Sequence, residues 1–215
     1  MPLSLDLYTI VVSLPAIVIA LTVHEFAHAW AANRLGDSTA RYAGRLTLEP
    51  WAHLDPIGLL MIVFYRFGWA KPVPVDPRQM RDPARGMAMT ALAGPVANLL
   101  LALVFGVLWA SGIAGRTSPA VAEHLDSIIV NGVLINVGLF VFNLLPLPPL
   151  DGARLLAGIA PVERWPWWDG LNRYGPLLLL GLLVSGAGSY LIGVPANFVI
   201  SLVVRFANSV VRLLS

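Results

Sequence analysis

Between Leu7 and Ala32 the chain is apolar enough to leave water, yet it carries His24-Glu25-Phe26-Ala27-His28 near its second end. Those two histidines and one glutamate are the only His, Asp, Glu, Lys or Arg residues in the stretch. About 25 residues run from Tyr8 to Ala32, where ~20 suffice to cross the hydrocarbon of a bilayer. A carboxylate in the middle of a span costs about 2.5 to 3.5 kcal/mol on insertion scales, so Glu25 needs a partner or a task. In a helix His24 and His28 lie one turn apart, so both imidazoles leave one face and can share a metal ion, with Glu25 alongside. The plainer alternative is a pair of histidines hydrogen-bonded between helices, with Glu25 capped by a neighbour. Against it, HExxH arises by chance in a chain of this length only on the order of once in a hundred.

Composition agrees that lipid is the main solvent. Of 215 residues 57% are hydrophobic and 12% charged, against about 25% charged in ordinary soluble chains, and the mean hydropathy is +0.75. With no cysteine, disulfides and thiolate metal sites are excluded, and any zinc must be held by imidazole and carboxylate. The leader before Leu7 has no Lys or Arg, so the first run reads as a retained span and not as a cleaved signal. A pI near 9.3 could suggest nucleic acid, but the basic residues are spread over loops and the net charge is only +2. Membrane topology accounts for them, and no nucleic-acid partner is expected.

Taken in order, the chain predicts a first span over Tyr8–Ala32 and a short apolar run, Pro56–Phe67, too brief to cross and read as re-entrant. Full spans follow over Gly86–Ser111 and Ile128–Leu147. Two more, Tyr174–Ile192 and Ala196–Leu214, are joined by a turn at Gly193-Val194-Pro195. Between the re-entrant run and the second span lies GWAKPVPV, Gly68–Val75, which Pro72 and Pro74 keep out of a helix. If extended, it offers N–H and C=O of Lys71, Val73 and Val75 along one edge, and no proline N–H along the other. Two readings stand open: a free edge that captures substrate by strand addition, or a proline-rich loop covering the site. Asn98 in the second span is likewise either a substrate contact or a hydrogen-bonding link between helices. Arginine and lysine crowd the loop between the first two full spans and the connector after the third. By the positive-inside rule both are cytoplasmic and the N-terminus is outside. His24 and the end of the third span then meet at one membrane depth.

Two histidines leave zinc one protein ligand short. Asp151, after Pro146, Pro148 and Pro149 at the end of an apolar span, could be a helix N-cap, but beside His24 and His28 it reads as the third ligand. HEFAH on one span and NLLPLPPLDG, Asn143–Gly152, at the end of a later one resemble the paired signatures of the site-2 protease family of intramembrane zinc metalloproteases. GWAKPVPV and LAGPVANLLLA resemble that family's intervening segments, so the likeness covers roughly Val23 to Arg154. It implies His24, His28 and Asp151 as ligands to one zinc ion per chain, and Glu25 as general base. It also implies a role for Asn143 beside the site, as a contact to substrate or oxyanion.

The expectation is thus an all-α polytopic membrane protein with about five transmembrane helices, a short re-entrant segment and room for a small β element. It is read as a single intramembrane metalloprotease domain over 1–215, without PDZ or CBS modules and with no span before HEFAH. Its partners would be the lipid bilayer and a membrane-anchored protein whose peptide bonds it hydrolyses in or near a transmembrane segment. The setting would be a bacterial or archaeal cell membrane, with the site toward the cytoplasm. The competing class is a non-catalytic metal-binding membrane protein or transporter, against which stand Glu25 and the lack of repeated halves. His53 reads as structural or as a neighbour of the ligands, the role of Asp55 stays open, and His124 reads as remote from the metal.

Overall fold

A computed structural model describes residues 7–65 and 68–214. Eight α-helices occur in them: α1 (Leu7–Arg34), α2 (Thr39–Tyr42), α3 (Pro56–Tyr65), α4 (Pro83–Ala110), α5 (Pro119–Asn143), α6 (Asp151–Ile159), α7 (Trp168–Val184) and α8 (Ala187–Leu214). The protein is an all-α polytopic membrane protein. Among the described residues four helices, α1, α4, α5 and α8, are long and apolar enough to cross a bilayer, not the five expected. The difference lies in the last third of the chain. Gly193-Val194-Pro195, expected as a turn, runs inside α8, and the break falls at Ser185-Gly186, where Gly186 adopts φ +76°. A left-handed residue suits glycine, whereas a proline inside a membrane helix is tolerated when neighbours satisfy the freed carbonyl. α7 spends its first turns on Asp169 and Arg173, and its 17 residues span only about 26 Å, short of the ~30 Å hydrocarbon core.

α4 is the central helix, packing on α1, α5, α6 and α8. Small side chains are buried on both helices, with Ala16 and Ala20 of α1 and Ala91 of α4 almost or wholly inaccessible. Small residues let membrane helices approach closely where lipid supplies no hydrophobic drive. Farther along, Ala102 and Phe105 of α4, Ile129, Val133, Val137 and Val141 of α5, and Val203 of α8 form one apolar core. The outward faces carry exposed Leu100, Val104, Leu134, Phe198 and Phe206, the side chains a helix presents to lipid.

α5 stops at Asn143, four residues before the expected end, because Pro146, Pro148 and Pro149 cannot continue it. α6 then restarts the chain at Asp151. The run after Pro56 forms the ten-residue α3, far too short to cross; the expected end of that run, Phe67, lies outside the described residues. Its flanks meet, since Leu54 bridges Ala70 in antiparallel fashion and the Lys71 N–H donates to the His53 carbonyl at 2.7 Å. That bridge is isolated and no strand occurs among the described residues, so the small β element shrinks to one pair. Prolines 72 and 74 lack N–H groups, and the carbonyls of Lys71 and Pro72 are taken by the Arg45 guanidinium.

Candidate active site

Three groups from two distant segments converge. His24 Nε2 and His28 Nε2 stand 3.0 Å apart, and each lies 3.2 Å from the same oxygen, Oδ2, of Asp151. All three side chains are buried. Local structure accounts for each position: one turn of α1 separates the histidines, and the proline-rich turn after α5 delivers Asp151 to the first residue of α6. An added Cβ on Gly152 would come within 2.3 Å of the Leu144 carbonyl, so only glycine lets α6 start tight against the end of α5.

The tautomers of both histidines follow from their partners. The Asn98 amide nitrogen donates to the Ala20 carbonyl at 3.1 Å and to Asn136 Oδ1 at 2.9 Å. Its oxygen therefore faces His24 and can only accept, so His24 Nδ1–H is the donor in that 2.6 Å bond. His28 Nδ1–H donates in the same way to the Thr90 carbonyl at 2.7 Å. In neutral imidazoles both Nε2 atoms then turn lone pairs toward each other and toward a carboxylate oxygen. Three electron-pair donors at 3.0–3.2 Å repel unless a cation sits among them. Tetrahedral zinc with bonds of about 2.0–2.2 Å separates its ligands by about 3.3–3.6 Å, close to what is found. The residues fit a zinc ion, with His24, His28 and Asp151 as its protein ligands.

Beside this cluster opens a cavity of about 420 Å³, lined among others by Glu25, Val73, Val75, Asn143 and Arg154. The Glu25 carboxylate makes no hydrogen bond among the described residues. Asn143 donates one N–H to the Leu139 carbonyl of its own helix at 3.1 Å, leaving its oxygen and second N–H uncommitted. Thr90 also lines the cavity, and its buried hydroxyl has no partner among the described residues.

Other candidate residues lie elsewhere. Asn98 is fully buried and does not line the cavity; its amide is spent on His24, Ala20 and Asn136. Of the two readings of Asn98, these bonds are those of a link between helices, and they place its oxygen on His24. Lys71 does not line the cavity either, and both its backbone groups are taken. His53 is wholly buried and bonds the Thr47 carbonyl at 2.8 Å, while Asp55 caps α3 by accepting from Ile57 and Gly58 N–H. His124 pairs with Tyr8 at the opposite end of α1. Sequence reasoning passed over Thr90 and Asn136. Asn136 carried the same signal as Asn98, an amide inside an apolar span, whereas a backbone carbonyl such as that of Thr90 leaves no trace in a sequence.

Among known proteins, the chain is 38% identical over 193 residues to the "Putative zinc metalloprotease YwhC" of Bacillus subtilis, covering 89% of this chain and 86% of the relative. It is 33% identical over 200 residues to the "Putative zinc metalloprotease Rip2" of Mycolicibacterium smegmatis, covering 81% of this chain and 74% of that one. No protein-family model and no solved structure matches it. With the paired histidines, the aspartate and the membrane-spanning helices that hold them, these relatives show that the chain belongs to the site-2 protease family of zinc metalloproteases.

Proposed function

We propose that this protein is a zinc metalloendopeptidase of the site-2 type, hydrolysing peptide bonds in or near transmembrane segments of membrane-anchored proteins. The observation that carries the reading is the convergence of His24 Nε2, His28 Nε2 and Asp151 Oδ2, tautomers set by Asn98 and Thr90, beside a cavity lined by Glu25. When bound, zinc supplies Lewis acidity toward a carbonyl and makes a water acidic enough to ionise near neutral pH.

The remaining work falls to the protein's own groups. Glu25, free of other hydrogen bonds, takes the proton from the attacking water on a carboxylate oxygen and returns it to the leaving amine nitrogen. Asn143 turns its uncommitted N–H toward the oxygen on which negative charge develops. The buried ligand shell excludes bulk water from one side, and the cavity admits it from the other. Val73 and Val75 present backbone groups to an unwound stretch of substrate, because a peptide bond in an intact helix is shielded by its own hydrogen bonds. The whole of 1–215 acts as one domain in this proposal. The density of Arg residues in the loops after the first and third spans supports a site facing the cytoplasm.

Glu25→Gln tests the reading. Zinc should stay at about one per chain while cleavage of a single-span reporter helix is abolished. Cleavage that survives the substitution, or that is absent from the unmodified protein, sinks it.

A further inference from the structure

Two charged side chains are buried outside the cluster of His24, His28 and Asp151. Arg45 is 5% exposed and Asp37 is inaccessible, and neither has an ion-pair partner among the described residues. A buried charge is expensive unless its hydrogen bonds are satisfied, so what each binds is informative. The Arg45 guanidinium donates to the Ala52 carbonyl, to that of Lys71 at 3.0 Å and to that of Pro72 at 2.7 Å. Asp37 accepts from Thr39 N–H at 2.9 Å through one oxygen and from Asp76 N–H at 2.7 Å through the other.

These contacts pin one segment at both ends. Arg45 holds residues 71 and 72, Asp37 holds residue 76, and between them Val73-Pro74-Val75 is left with its peptide groups unpaired among the described residues. Val73 and Val75 line the cavity beside Glu25. Residues two apart on an extended chain repeat every ~6.6 Å, the spacing at which one strand edge offers successive N–H and C=O pairs to another. Both pins come from the stretch directly after α1, and the N–H of Asp37 itself bonds the Ala32 carbonyl in the last turns of that helix at 3.0 Å. The free edge is therefore registered on the helix that carries His24, Glu25 and His28.

We propose that Arg45 and Asp37 are substrate-positioning residues, which hold residues 71–76 as a preformed strand edge for an unwound, extended peptide. This deepens the protease reading and rests on it. The ordering of the edge is completed before the substrate arrives, so losing a pin moves that cost into the binding step. The loss should weaken capture about tenfold or more, with little change in the chemical step.

The experiment uses the full chain in detergent micelles and a fluorescent single-span reporter helix with a central Asn-Gly pair. Binding is measured on the Glu25→Gln background, and KM and kcat on the active background, for Arg45→Met, Asp37→Asn and Val73→Pro. Expected are Kd and KM raised about tenfold or more by all three, with kcat within about twofold and zinc retained. Should Arg45→Met not accumulate as folded protein, Arg45→Lys decides by the same split, because it keeps the charge but cannot fork across three carbonyls. Unchanged Kd and KM in Arg45→Met and Asp37→Asn, with Val73→Pro impaired, overturn the brace and leave the edge. Lowered melting temperature with unchanged KM in the folded fraction overturns it equally, as a merely structural role. Unchanged binding in Val73→Pro overturns the edge itself. If the reporter binds as expected but is never cut, the protease reading falls while the brace stands.

Discussion

Gly94 of α4 lies against both ligand histidines, and an alanine there should disable the metal site. A Cβ built on Gly94 would lie 2.4 Å from His28 Nε2, 2.6 Å from His24 Cε1 and 2.7 Å from His28 Cε1. Ordinary contact begins near 3.4 Å, so either the rings retreat by about 1 Å or α4 backs away by as much. Metal–ligand distances tolerate only about ±0.2 Å, which rules out the first without loss of coordination. The second would stretch the 2.6 Å and 2.7 Å bonds from His24 to Asn98 and from His28 to Thr90 to about 3.6 Å, beyond hydrogen-bonding range. Loss of such outer partners typically weakens metal binding 10- to 100-fold, about 1.4 to 2.7 kcal/mol, and overpacking adds about 1 to 3 kcal/mol of destabilisation. The assay is zinc affinity by chelator competition, read beside cleavage of the reporter helix. Gly138→Ala on α5, where an added Cβ meets nothing within 4 Å, serves as the control and should bind zinc normally. A Gly94→Ala protein with zinc affinity within twofold of the unmodified chain would refute the reasoning.

Three further outcomes follow from the site. Asn98→Ala removes the acceptor that fixes the His24 tautomer and should weaken zinc binding about 10- to 100-fold; an unchanged chelator titration would show that the bond orients nothing. Asn143→Ala should leave zinc in place and lower kcat about 100- to 1,000-fold, and wild-type turnover would remove it from the mechanism. Stripping the metal with a chelator leaves two lone pairs and a carboxylate facing one another at 3.0–3.2 Å. The melting temperature should fall and recover on adding zinc, corresponding to about 2.7 kcal/mol when free zinc is 100 times its Kd; no shift would mean that these side chains hold no zinc in the folded protein.

The proposed ligand set was readable because each member broke a local rule. An imidazole pair and a carboxylate inside an apolar run, and an aspartate after three prolines at the end of another, are costly placements that need a compensating ion. The helices that hold them were equally legible, since hydropathy over some 20 residues reflects transfer from water to lipid whatever the tertiary contacts. Where the last third of the chain turns was not. Gly193-Val194-Pro195 and Ser185-Gly186 are both plausible breaks locally, and the packing of α8 against α4 and α5 selects one long helix through the proline.

The membrane class and the zinc chemistry were legible residue by residue, and the proposed ligands with them, because each rests on an energy of transfer or on a ligand type that a residue carries wherever it folds. The packing of α4 against α1 brings the Asn98 oxygen to His24 and the Thr90 carbonyl to His28. Only the tertiary structure decided that Arg45 and Asp37 bracket Val73 and Val75 while Lys71 is already engaged. Hydrogen bonds act over about 3 Å, and which groups come that close depends on how helices far apart in the chain are packed.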